Sequence, residues 1–117
     1  MLELKPITEK EFPYIVDWNN GKDENYLFQW AGHQVYKYPL TIEQIKNHNK
    51  TDNLQIYIAF CDGEAVGSIE LFGIDKEQSS ALICRFILCD KAKNKGLGTS
   101  ILKKLSEIAF NEMKLNK

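Results

Sequence analysis

The strongest constraint on this chain is the stretch 82–105. There Leu82-Ile83-Cys84-Arg85-Phe86-Ile87-Leu88 leads through Lys93-Asn94-Lys95-Gly96-Leu97-Gly98 into an amphipathic segment. The pattern predicts a strand, a glycine turn and a helix. Glycines at the mouth of a helix let a ligand approach the backbone, and the first turn of the helix leaves N–H groups free to hold an anion. A K-x-x-G-x-G turn also occurs where a helix starts for structural reasons alone, so the spacing by itself supports both readings. Its setting favours the anion: Lys91, Lys93 and Lys95 surround the turn. A dinucleotide fold would need G-x-G-x-x-G early in a βαβ unit, and a P-loop would need a lysine directly after its last glycine. Gly98 is followed by Thr99, and neither pattern is met.

The charge distribution points to the same region. The net charge is −1, but residues 1–89 carry 13 acids against 8 bases, while residues 90–117 carry 3 acids against 7 lysines. An anionic partner near the last third fits this split, as does a solvated lysine face on a helix. Arg85 is the only arginine, which argues against nucleic acid as the partner. With 117 residues, 44% of them apolar, the chain is expected to form one domain, 1–117. Cys61, Cys84 and Cys89 form no C-x-x-C pair and sit in apolar runs, so reduced thiols, no metal site and a cytoplasmic location are expected. No apolar run is long enough to span a bilayer.

The remaining elements follow from periodicity and caps. Leu2, Leu4 and Ile7 suggest a short edge strand, and Thr8-Glu9-Lys10-Glu11 is a capping-box pattern before a helix carrying Phe12, Ile15 and Val16. Residues 22–40 read as irregular, with an aromatic group (Tyr26, Phe28, Trp30, Tyr36, Tyr38) that either covers the core or lines a cleft. Thr41-Ile42-Glu43-Gln44 repeats the capping-box pattern ahead of a short helix. Strands at 54–60 and 65–72 flank Asp62-Gly63, a hairpin signature, and Gly67 inside the second strand suggests a bulge or a close backbone approach. The strand at 80–89 has an almost continuously apolar character, which predicts burial on both faces. The expected class is α+β in the order β-α-α-β-β-β-α, a largely antiparallel sheet flanked by helices.

With these elements in place, the chain resembles the GNAT superfamily of N-acetyltransferases. The family's coenzyme A motif, [RQ]-x-x-G-x-[GA], lies between its fourth strand and the next helix, and Lys93, Gly96 and Gly98 occupy the matching positions. Lys93 stands where arginine or glutamine is usual, keeping the charge without the guanidinium fork. The tracts Gln29-Trp30-Ala31-Gly32, Tyr38-Pro39-Leu40-Thr41 and Val66-Gly67-Ser68-Ile69 resemble a bacterial subgroup acting on small substrates. The resemblance implies that acetyl-CoA is the cosubstrate. Lys93, Asn94, Lys95, Gly96, Leu97, Gly98 and Thr99 would cradle its pyrophosphate, and the backbone of Phe86, Ile87 and Leu88 would pair with the pantetheine arm. An amine of a small molecule or protein would then attack the thioester directly. In the family a further strand, helix and two strands follow this helix. The chain ends before them, so the resemblance implies a shortened member, either an N-acetyltransferase or a non-catalytic dimeric module that binds coenzyme A.

Six residues outside the loop are weighed for the site or its surroundings. Glu70 is the candidate general base, although a solvent-facing place on its strand is the plainer expectation. Arg85, an unpaired charge mid-strand, would contact an acceptor or pair with Glu70. Trp30 is a candidate for substrate contact, and His33 and His48 read as surface histidines. Cys89, one residue before the turn region, either lies near the bound thiol or packs inertly. Without the missing strands the strand at 80–89 would be a bare edge, so a homodimer through that edge or through a swapped last helix is expected.

Overall fold

The computed structural model describes residues 2–32, 34–75, 77–78, 80–93 and 96–111. Strand β1 (Leu2–Pro6) ends at a proline, and Thr8 then caps a short 3₁₀ turn, Glu9–Glu11. The expected capping box is formed: the Glu11 carboxylate accepts from the Thr8 N–H at 2.7 Å, and the Lys10 N–H donates to Thr8 Oγ1 at 3.3 Å. Helix α1 (Phe12–Trp18) follows, with Pro13 in its first turn, where its missing N–H costs nothing.

Helix α2 (Glu24–Ala31) corrects the irregular reading of residues 22–40. Asp23 caps it by accepting from the Tyr26 N–H at 2.9 Å, and Gly32 ends it at φ +78°. Leu27 and Ala31, four apart, are its buried stripe. Helix α3 (Ile42–His48) starts at Thr41, whose hydroxyl accepts from the Gln44 N–H. Gln44 does not complete the second capping box. Its amide instead holds the preceding loop, accepting from the Lys37 N–H at 2.6 Å and donating to the Lys37 and Pro39 carbonyls.

Strands β2 (Leu54–Cys61), β3 (Glu64–Asp75) and β4 (Ser80–Leu88) complete one antiparallel sheet in the order β1-β2-β3-β4. Asp62 and Gly63 turn the β2–β3 hairpin with φ of 53° and 87°, the pair of left-handed residues that matches strand twist. A second 3₁₀ turn, Asp90–Ala92, leads from β4 to helix α4 (Leu97–Asn111). The period-2 alternation sorts the core into two layers. Tyr57, Ala59, Ile69 and Leu71 pack with Ile101, Leu105 and Ala109 of α4, while Ile56 and Ile58 pack on the other face with Ile15, Leu27 and Ile45 of α1, α2 and α3. The α+β class and the expected strand order therefore hold, with α2 added.

β4 departs from the expectation of burial on both faces. It is an edge strand, with Leu82 66% and Ile83 39% exposed. No described helix is long and apolar enough to cross a membrane. Where β3 meets β4, Gly67 lies so close to its neighbour that an added Cβ would fall 2.6 Å from the Ile87 carbonyl oxygen and 3.0 Å from the Leu88 side chain. The pairing of β2 and β3 also shifts register beside Gly67, which pairs with Ala59 while Phe60 pairs with Ala65. The bulge and the close approach expected of Gly67 are thus both present. Gly67→Ala must force β3 and β4 apart, and we expect a loss of about 1–3 kcal/mol, the usual range for overpacking, read by urea denaturation. Wild-type stability in that variant would mean that the two strands are not held this close.

Candidate functional site

The site is built around an irregularity in β4. Ser68 pairs with Ile87 and Glu70 with Cys84, so Arg85 and Phe86 together face the single residue Ile69. Arg85 sits at φ +50°, a left-handed conformation usually left to glycine, asparagine or aspartate. This bulge re-aims a side chain and interrupts the ladder. The side chain so turned meets Glu70, with Arg85 Nη1 donating to Glu70 Oε1 at 3.0 Å.

Glu70 is 2% exposed, so it is not the solvent-facing strand residue of the plainer expectation. Its other partner is His48 at the end of α3, whose Nε2 lies 3.0 and 3.1 Å from the two carboxylate oxygens. His48 is buried too, which corrects its reading as a surface histidine. The spacing holds the signal: His48 lies three residues after Ile45, on the face that α3 buries. The Tyr36 ring meets the His48 ring edge-on at 5.3 Å, and Trp30 packs at 5.9 Å from Tyr36. Burial, with the Glu70 charge adding to it, pushes the Tyr36 hydroxyl well above its ordinary value. Trp30 Nε1 donates to Asn19 Oδ1 at 2.8 Å, which places Trp30 in the packing of α1 and α2. Arg85 also lies 5.2 Å over the Phe72 ring and donates to Cys84 Sγ, and its Nε is buried with no partner among the described residues. Burial, followed by the Glu70 charge, pushes the Cys84 thiol up, which suits a packing role better than a nucleophilic one.

The turn after β4 forms the second part of the site. Gly96 sits at φ +74°, so the backbone itself calls for glycine there. Gly98, in the first turn of α4, is different. An added Cβ would meet its nearest neighbour, the Phe86 ring, at 3.7 Å, so packing does not demand its bareness. Lys93 Nζ donates to Tyr26 Oη at 3.2 Å, stands 4.8 Å over the Tyr26 ring and lies 3.3 Å from Asp90. Asp90 also accepts from Lys22 at 2.7 Å, and these two lysines hold its carboxyl below the usual carboxylate range. Asn94 and Lys95 lie outside the described residues, as does His33. Phe86, Ile87 and Leu88 lie at the end of β4, Lys93 follows the second 3₁₀ turn, and Gly96, Leu97, Gly98 and Thr99 lie at the start of α4. No group of three metal-ligating side chains occurs among the described residues.

The buried pair makes a stability prediction. Arg85→Met leaves the Glu70 carboxylate without its cation, and breaking a buried pair in this way costs about 3–5 kcal/mol. Adding Glu70→Leu removes the stranded charge and should recover most of that loss in thermal melts. A double variant no more stable than the single one would show that the charge is not the cause.

Residues 7–117 match the family model described as the acetyltransferase (GNAT) family. The acetyltransferase PseH of Campylobacter jejuni is 24% identical over 119 residues, an alignment covering 99% of this chain and 71% of PseH. A Vibrio cholerae spermidine N-acetyltransferase, solved with CoA and spermine, superposes with a TM-score of 0.77 at 14% identity. That match covers 97% of this chain and 66% of the other. A dodecameric form from the same organism gives a TM-score of 0.69 at 17% identity, over 97% of this chain and 65% of that one. The chain thus spans about two thirds of the length of those structures. By the match along nearly its whole length and by the fold that goes with it, the chain belongs to the GNAT acetyltransferase family.

Proposed function

We propose that the protein is an N-acetyltransferase that moves an acetyl group from acetyl-CoA to a primary amine of a small molecule or protein. The observation that carries this reading is the bare Gly98 in the first turn of α4, where a Cβ would sit at ordinary contact distance from its described neighbours and the sequence supplies none. A bound pyrophosphate would use that space. The amides of residues 94–99 and the start of α4 would hold it, with Lys93 adding charge once drawn from Tyr26 and Asp90. The edge of β4 at Phe86, Ile87 and Leu88 would pair with the pantetheine arm as an added strand would. When bound, acetyl-CoA supplies the activated acyl group. The chain's own tasks are to position the two reactants, remove the ammonium proton and offer donors to the carbonyl oxygen. Trp30 and Arg85 would stand on the acceptor side. Glu70, sealed under Arg85 and His48, would act within that network and not by touching the amine.

Gly98→Ala separates the two readings of the turn. Alanine inside a helix favours the fold by about 1 kcal/mol over glycine, so the variant should melt no lower than wild type. Calorimetric affinity for acetyl-CoA should fall at least about tenfold, the equivalent of roughly 1.4 kcal/mol. Unchanged affinity would make the glycine structural only. Binding without turnover on a panel of amines would leave a coenzyme A-binding module in place of an enzyme.

The exposed edge of β4 supports a homodimer, because unpaired strand edges with apolar side chains invite pairing. Leu82→Lys places a charge on that edge and should convert a dimer to a monomer in sedimentation at tens of micromolar. A wild-type monomer under the same conditions would remove the proposal.

A further inference from the structure

His48 sits between two environments. On one side its Nε2 faces Glu70, which Arg85 ties to the β4 bulge. It is also one of the residues lining a cavity of about 610 Å³, with Gln34, Val35, Lys37, Gln44, Asn47 and Thr51. With Nε2 spent on the carboxylate, Nδ1 is the ring nitrogen left for a ligand. A carboxylate that accepts from one imidazole nitrogen fixes the tautomer, orients the ring and stabilises the imidazolium formed when the other nitrogen takes a proton. The titratable and charged groups around the ring are Glu70 from β3, Arg85 from β4, and Tyr36 and Lys37 from the loop before α3.

We infer that this cavity is the acceptor site and that His48 is the general base of the acetyl transfer, with Glu70 and Arg85 as its positioning residues. The inference rests on the acetyltransferase reading above. Nδ1 takes one proton from the substrate ammonium. The freed nitrogen lone pair forms the C–N bond to the acetyl carbon as the C–S bond to coenzyme A breaks. The nitrogen's second proton goes to the departing thiolate, and the proton on His48 returns to solvent. The lining also limits the acceptor. Gln34, Asn47 and Thr51 offer amides and a hydroxyl, Lys37 offers a positive charge, and no carboxylate is among the described lining residues. Gln44 already spends its amide on the Lys37–Pro39 loop. These walls suit a primary amine that carries hydroxyl or anionic groups and repel a polycation.

The test uses the full chain, His48→Gln and Glu70→Gln, with glucosamine and spermidine as probe amines and acetyl-CoA affinity measured alongside. His48→Gln should lose about 10²–10⁴-fold in kcat/KM, the usual contribution of a general base, and keep wild-type affinity for acetyl-CoA. The acid limb of the pH profile should move up in pH to follow the ionisation of the free amine, and Glu70→Gln should displace the wild-type limb. Glucosamine should outperform spermidine in the wild type. Independently of turnover, ¹⁵N ring shifts should show His48 protonated at Nε2 and bare at Nδ1, assigned with the help of His33→Gln. A protonated Nδ1, an unaltered rate and acid limb in His48→Gln, joint loss of cofactor affinity and rate, or a preference for spermidine would each overturn the inference. Wild-type protein that fails to bind acetyl-CoA would overturn the acetyltransferase reading itself, which distinguishes the two failures.

Discussion

The Glu70 carboxylate is the constraint on which the rest of this structure turns. A charge 2% exposed inside a sheet is costly unless it is paired and hydrogen-bonded, and Glu70 meets that demand from two directions. One partner, Arg85, comes from the neighbouring strand, while the other, His48, comes from the helix packed on the sheet. Their positions are therefore coupled. β4 must bulge where it does for the guanidinium to arrive, and α3 must end where it does for the imidazole to arrive. Apolar packing is non-directional, whereas hydrogen bonds weaken steeply once their angle departs far from linear. A polar triad of this kind ties the register of β4 to the docking of α3.

The bulge has a second consequence at the far end of β4. Two residues facing one shift the strand by a residue relative to β3, and Gly67 then meets Ile87 with room for no side chain. This tight crossing sets where Leu88 leaves the sheet. The Cys89 N–H still bonds to the Val66 carbonyl at 2.8 Å, and the chain then turns through Asp90–Ala92 toward Gly96. The glycine turn is thus aimed by the strand before it as well as by its own sequence. Lys22, Asp90, Lys93 and Tyr26 form an outer brace across the same region, linking the α1–α2 loop to the turn. Their exposure keeps that brace weak, and it can yield to an anion of higher charge.

How much of this could be read from the residues differs from element to element. The hairpin at Asp62-Gly63, the cap at Thr8 and the stripe of α4 were legible because each depends on neighbours within a few positions. Helix α2 was not, because the aromatic density of residues 26–38 masked a short apolar stripe, although Asp23 and Gly32 mark its two ends. The pairing of Arg85 with Glu70 could be proposed from one unpaired charge and one acid on adjacent strands. The three-residue spacing of His48 from Ile45 marks the buried face of α3, but which partners it meets there depends on where α3 lands on the sheet. Gln44 shows a related limit. Its spacing from Thr41 fits a capping box, yet the amide finds three backbone partners in the loop before the helix. A motif states which local bonds are available, and tertiary structure decides which are made.

Strain and polarity gather on β3 and β4, while β1 and β2 are more regular. A left-handed arginine, a glycine pressed against a carbonyl and a buried ion pair each cost free energy, and a fold under selection for stability alone would replace them with apolar residues of similar volume. They persist together along one strand pair, beside a turn with a bare glycine that packing does not require. Independent accidents of packing would scatter such features over the sheet. Their concentration along the path from His48 through Arg85 to Gly98 is what a strand pair shaped to hold reactants would show, and the two well-packed apolar layers supply the stability that offsets them.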